Sequence, residues 1–234
     1  MQPEIVVGTL EKLVTTAVER FERMVRDAVG ARGLFSCAVP GGSVAESLFP
    51  AFAALSLSWE KVHVFFGDER AVPPTDPDSN YGLARRLWLE RVTARVHPML
   101  TGAGDLDAAA AAYANDLRTT LGDPPRLDLA LLGMGPDGHV CSLFPNRPLP
   151  HDGPVAVVRD SPKPPPNRLT LTMPVLAAAR AIWVAAFGAP KAPIVREAVE
   201  REDSKLPVAI ALRSGPPSLF LLDPDAASAL TRPA

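Results

Sequence analysis

Apolar positions recur along this chain in two rhythms. Leu10, Leu13, Val14, Ala17, Val18, Phe21, Met24, Val25 and Val29 return every three to four residues, the spacing of one face of an amphipathic helix that Gly30 closes. Short apolar runs read instead as buried strands: LFSCAVP (34–40), KVHVFF (61–66) and RLDLALL (126–132), then PVAVVR (154–159), NRLTLTM (167–173), AIWVAAF (181–187), LPVAIAL (206–212) and SLFLL (218–222). Between them AESLFPAFAAL (45–55) reads as a helix with an irregularity at Pro50. Ser79 caps a helix that turns Tyr81, Ala84, Leu87 and Trp88 inward. Asp105 or Asp107 starts another, with Leu106, Ala110, Tyr113, Leu117 and Leu121 on one side, and a further helix runs from about Pro190 to Glu200.

Apolar strands alternating with amphipathic helices predict an α/β fold, a mostly parallel sheet with helices on both faces. No repeat or linker divides the chain, so a single domain over 1–234 is expected. In such sheets ligands bind at the carboxyl ends of strands. Four polar segments directly follow predicted strands: Gly41-Gly42-Ser43, Asp68-Glu69-Arg70, Gly133 to His139, and Gly188 to Lys191.

The segment Leu127–Pro145, LDLALLGMGPDGHVCSLFP, spells G-x-G-x-x-G after a strand, with Asp160 standing 22 positions beyond Gly138. A dinucleotide fingerprint also needs a crossover helix between the glycines and the acid. Only 15 residues separate Gly138 from Pro154, and they include Pro145, Pro148, Pro150 and Gly153. Proline leaves room for about two helical turns before Pro145. The glycines suit a different task, a tight turn that presents Asp137 and His139 at the start of a short helix. A histidine beside a carboxylate is the usual general base. The plainer reading of each is a surface histidine and a turn-forming aspartate.

Composition narrows the field. Apolar residues make up 47% and charged residues 21% of the 234, with a net charge of -2, so nothing advertises nucleic acid or an anionic membrane, and any anion site must be local. No apolar run approaches the ~18 residues of a membrane span, and the first residues, MQPEIVVGTLEKLV, do not resemble a signal peptide. Two cysteines, Cys37 and Cys141, make no disulfide framework and suit a reducing compartment, so the cytoplasm is expected. Two positions from His139 on a helix, Cys141 would point elsewhere, which argues against a cysteine hydrolase. No G-x-S-x-G elbow is present.

Five blocks, in order, resemble the 6-phosphogluconolactonase family: PGGSVAESL (40–48), FFGDERAVPPTDPDSNYGLARRLWL (65–89), GMGPDGHVCSLFP (133–145), SPKPPPNRLTLTMPVL (161–176) and GAPKAPIVREAV (188–199). The resemblance implies a Rossmann-like sheet and hydrolysis of 6-phospho-D-glucono-1,5-lactone in the pentose phosphate pathway, with no metal and no organic cofactor. It implies His139 as the base on water, Asp137 as its orienting partner, and Arg70 or loop amides on the oxyanion. Gly41, Gly42, Ser43, Arg168 and Lys191 would hold the phosphate, with Asp68 among the substrate-binding residues. The family's phosphate loop commonly reads G-G-S-T-P, whereas Val44 and Ala45 follow Ser43 here. Asp68 and Arg70 have a simpler reading as a mutual ion pair, Lys163 as a solvated loop charge, and Asn80 and Tyr81 as cap and core. Two rivals remain. One is a sugar-phosphate deaminase–isomerase, whose D-G-H precedes F-N-E-P, whereas Ser142-Leu143-Phe144-Pro145 stands here. The other is a non-catalytic sugar-phosphate sensor, for which no spare DNA-binding segment exists. A monomer or weak homodimer is expected.

Overall fold

The computed structural model describes residues 2–101 and 104–231. A strand that the apolar pattern did not mark comes first, β1 (Glu4–Val7), followed by α1 (Leu10–Arg32), whose first turn is capped by the Thr9 hydroxyl. Gly30 does not end α1; the helix runs two residues further and stops at Gly33, in left-handed backbone. Leu13, Ala17, Phe21, Val25 and Ala28 are its buried face, while Leu10 points outward at 47% exposure. β2 (Phe35–Val39), α2 (Gly42–Ala53) and β3 (Val62–Phe66) follow, and α2 passes through Pro50 unbroken, giving up one main-chain donor.

Gly67 alone separates β3 from β4 (Asp68–Arg70). Then come α3 (Asn80–Leu87), capped by Ser79 as its sequence predicts, β5 (Arg95–Val96), and α4 (Leu106–Leu121), started by the Asp105 carboxylate. The second half holds β6 (Leu129–Gly133), β7 (Val155–Val158), β8 (Arg168–Leu171), α5 (Met173–Ala178), β9 (Ile182–Ala186), α6 (Ala192–Glu200), α7 (Pro207–Arg213), β10 (Ser218–Leu222) and α8 (Pro224–Ala227). α7 corrects the reading of LPVAIAL as a strand. Most of the run is buried, and periodicity does not separate a buried helix from a buried strand. Pro207, with its fixed φ, starts the helix.

Seven strands form one parallel sheet in the order β1-β10-β9-β6-β2-β3-β5. Helices flank this sheet, α1 packing on α2 and α2 on α3. Phe21 stacks on Phe52 at 4.3 Å, and Trp88, just past α3, lies 5.2 Å from Phe49, so aromatic rings join α1, α2 and the end of α3. From β2 the chain moves outward through β3 and β5; from β6 it moves the other way through β9 and β10. The order therefore reverses between β2 and β6, where open α/β sheets place their ligands.

A second sheet, absent from the sequence reading, is antiparallel: β4-β8-β7. β4 is three residues long and carries no apolar alternation, so only its partner reveals it. Its register sets Arg70 directly opposite Arg168 and Asp68 opposite Thr170.

Candidate active site

The loop after β6 carries no helix, which corrects the expectation of one after Gly138. It folds back on itself through bridges from Met134 to Val140 and Val140 to Leu143, and Gly135 N–H donates to the His139 carbonyl at 2.9 Å. Cys141 and Asn146 have positive φ, so the segment cannot propagate a helix. Gly138 turns the chain at φ 85°. Gly135 is needed for another reason: a Cβ there would lie 2.1 Å from the His139 ring and 2.6 Å from Asp137 Oδ1. The glycines make room for an imidazole on backbone, not for a pyrophosphate.

Asp137 Oδ1 accepts from His139 Nδ1 at 2.5 Å, which fixes the tautomer with Nε2 unprotonated. Among the described residues the other polar contacts of the His139 nitrogens are its main-chain N–H with Asp137 Oδ1 and the Lys163 ammonium at Nδ1, and none involves Nε2. Burial lowers the His139 pKa below that of an ordinary imidazole; Asp137 opposes this and the Lys163 ammonium adds to it. The ring is therefore neutral at pH 7. Burial pushes Asp137 up, but the imidazole and Lys163 outweigh it, and the carboxylate sits below its usual range. Phe144 covers the other side of the ring at 4.9 Å.

Across the cavity, Asp68 and Arg70 are not a pair. Asp68 accepts from the Ser142 hydroxyl at 2.6 Å and Asn80 Nδ2 at 3.1 Å, and lies 3.7 Å from Arg168 Nη1. Arg70 donates to the Asp78 carbonyl at 2.6 Å. Arg168 is 3% exposed and braced: Nε donates to Pro165 O, and Nη2 to the Lys163 and Pro164 carbonyls. Nη1 reaches the Ser142 hydroxyl at 3.5 Å, so Nε and Nη2 are held by carbonyls and Nη1 is the more loosely engaged nitrogen on the cavity side. Burial lowers its pKa, with Asp68 opposing. Glu69 lies on the opposite face of β4 and accepts main-chain N–H groups of Arg70, Asn80 and Tyr81 and the Ser79 hydroxyl. Burial still raises its pKa.

Gly41 precedes α2 without any side-chain cap, so the first N–H groups of that helix, on Gly42, Ser43 and Val44, open into the cavity. Lys191 borders it from a 3-10 turn before α6, and its pKa is lowered by burial against Asp223. Cys141 borders it too, but burial of the thiol and nearby Asp68 raise its pKa well above the ordinary value, so no thiolate nucleophile is available.

The cavity encloses about 170 Å³, room for a small polar ligand. Eight of the nine residues singled out in the sequence line it: Gly41, Gly42, Ser43, Asp68, Arg70, His139, Arg168 and Lys191; Asp137 stands behind His139. Asn80 lines it as well, beyond its expected role as cap. Lys163, for which a solvated loop charge is one of two readings the sequence leaves open, has Nζ 3.3 Å from Asp137 Oδ1 and 3.5 Å from His139 Nδ1. The segment carrying it resembles a family block, but nothing local in it shows that the ammonium, 24 residues on, meets the Asp137–His139 pair. Among the described residues no three His, Cys, Asp or Glu side chains converge as a metal shell.

The model of the "Glucosamine-6-phosphate isomerases/6-phosphogluconolactonase" family matches residues 8–219. A 6-phosphogluconolactonase of Mycobacterium tuberculosis is 41% identical, with 93% of this chain and 94% of that protein aligned. A human 6-phosphogluconolactonase is 40% identical over 87% of this chain and 84% of its own. The solved 6-phosphogluconolactonase from Trypanosoma cruzi superposes with a TM-score of 0.87 at 27% identity, covering 99% of both chains. With a family model spanning all but its ends, and a sheet reversal and histidine loop in the expected place, the chain belongs to the glucosamine-6-phosphate isomerase/6-phosphogluconolactonase family.

Proposed function

We propose that this protein hydrolyses 6-phospho-D-glucono-1,5-lactone to 6-phospho-D-gluconate, in the oxidative pentose phosphate pathway. The observation that carries the reading is the neutral His139, tied to Asp137 at Nδ1 and bare at Nε2, in a cavity rimmed by cations and an open helix N-terminus. The names of relatives about 40% identical point the same way.

Nε2 of His139 takes a proton from water as the oxygen attacks C1. Arg70 or loop N–H groups face the oxyanion of the tetrahedral intermediate. As the intermediate collapses, the bond from C1 to the ring oxygen breaks, and the imidazolium returns its proton to that oxygen. Asp137 holds the ring in register throughout. The 6-phosphate sits on the α2 N-terminus and Ser43, with Lys191 and Arg168 Nη1 as cations. Val44 is buried where the resembled loop carries a hydroxyl, which leaves Ser43 and main-chain N–H groups as the donors of the loop.

A deaminase–isomerase on this fold is the weaker reading. Where that chemistry would need a carboxylate after the D-G-H turn, Ser142 binds Asp68 and Phe144 packs on the imidazole. No described helix is long and apolar enough to cross a membrane, and we place the reaction in the cytoplasm, carried by a monomer or weak homodimer. The test is lactonase turnover before and after His139→Ala. Loss of at least about a hundredfold in kcat, with phosphate binding kept, is expected; full activity in the variant would remove His139 as the base.

A further inference from the structure

Lys163 belongs to no described element, yet it is fixed. Its carbonyl accepts from Ser161 Oγ at 2.7 Å and Arg168 Nη2 at 3.0 Å, and its N–H donates to Ser161 Oγ at 3.2 Å. Pro164, Pro165 and Pro166 follow and restrict φ over the next three residues. A solvated charge needs no such anchoring. The result is an ammonium delivered to the oxygen that already holds the imidazole, Asp137 Oδ1.

We propose that Lys163 is a positioning residue for this reaction: its ammonium shares Asp137 Oδ1 with the His139 ring and weakens that carboxylate's hold on an imidazolium, so Nε2 rests unprotonated and, once charged, gives its proton back readily. The idea rests on His139 being the base. A bare histidine–aspartate pair favours the imidazolium. That is useful after water has been deprotonated and harmful before, because a ring already protonated cannot act as a base. A cation on the shared oxygen tempers the carboxylate and repels the imidazolium directly. The charged groups facing this ring are Asp137 and Lys163, with Asp68 further off on β4; Lys191 and then Asp223 stand beyond Lys163.

The experiment compares the full-length protein with Lys163→Met and Lys163→Arg. The readouts are kcat/KM against pH and imidazole titration by NMR, with the His139 signal identified by its loss in His139→Ala. In Lys163→Met the acidic limb and the imidazole titration should both move up by about 0.5–1 pH unit, and Lys163→Arg should restore them; the shift is modest because the Lys163 side chain is 38% exposed. If Lys163→Met raises KM while limb and titration stay put, Lys163 serves only the phosphate and the proposal is overturned. If the titration moves and the limb does not, Lys163 still tunes His139 but the limb belongs to another group, and the general-base reading fails instead. The NMR titration remains readable in a variant with little turnover.

Discussion

Among the described residues two histidine–aspartate pairs share nearly the same short Nδ1 geometry. In one, Asp137 Oδ1 accepts from His139 Nδ1 at 2.5 Å. In the other, Asp116 Oδ2 accepts from His97 Nδ1 at 2.8 Å. The difference is at the second ring nitrogen. His97 Nε2 meets His63 Nδ1 at 2.9 Å, and the His97 ring stacks on Phe65 at 4.1 Å, so both its nitrogens and one face are taken. His139 leaves Nε2 bare in the cavity at the sheet reversal. The His97 pair joins α4 to the outer sheet strand; it is mortar between elements. A short bond to a carboxylate does not make a catalytic histidine. What fits His139 for the base we propose is an unengaged nitrogen, a neutral resting state and space for a reacting atom.

Substituting the two histidines in parallel breaks or confirms this contrast most sharply. His139→Ala should lower kcat at least about a hundredfold, whereas His97→Ala should keep kcat within about twofold. A comparable loss of turnover from both would show that the pairs are not functionally distinct. Next in size is the anion end of the cavity. Lys191→Ala should raise KM about 10- to 100-fold with little change in kcat, because the phosphate contact we propose for it would exist before and during the reaction. An unchanged KM would move the phosphate away from Lys191.

The structural pair should report itself in stability. His97→Ala removes two hydrogen bonds and a stacked ring, and should destabilise by about 1–3 kcal/mol, read by denaturant unfolding. The smallest effect is a pH dependence. Burial lowers the His63 pKa, followed by His97 and Arg95, with Asp116 opposing. The folded protein therefore binds fewer protons than the unfolded chain just below the unperturbed value of ~6.5. That stability is present above ~6.5 and is lost as pH falls beneath it. His139, lowered by its own burial, contributes with the same sign. Tm between pH 7.5 and 5.5 should fall less steeply in His63→Asn than in the parent; equal slopes would mean that burial of His63 does not link its proton to folding.

Much of the site was legible because its residues stand directly after apolar strands. Gly41 to Ser43, Asp68 to Arg70, His139 and Lys191 could each be placed at a sheet edge from strand position alone. What was hidden depends on partners distant in sequence. β4 is visible only through its pairing with β8, about a hundred residues away, and that pairing puts two arginines face to face. Like charges directly opposed are unfavourable unless something offsets them; here Asp68 lies against one, and a bound anion would satisfy both. The turn after β6 misled for a local reason: positive φ at Cys141, a residue with no turn signature, stops a helix that the pattern allows. LPVAIAL misled for a global one, since burial on several sides erases the helical period.

The order in which the chain is made gives one earlier feature a further meaning. β1, the first strand, takes its place beside β10, the last. Just past β10, the Asp223 carboxylate accepts the Gly188 N–H with both oxygens while capping α8, which steadies the turn that carries Lys191. The segments bearing Ser43, Arg70 and His139 emerge from the ribosome well before that clasp exists. Contacts of such sequence separation form late. A nascent chain can therefore hold the His139 loop and still lack the clasp that steadies the Lys191 turn, so, on the proposed assignment, substrate affinity is gained only after β10 and α8 have formed.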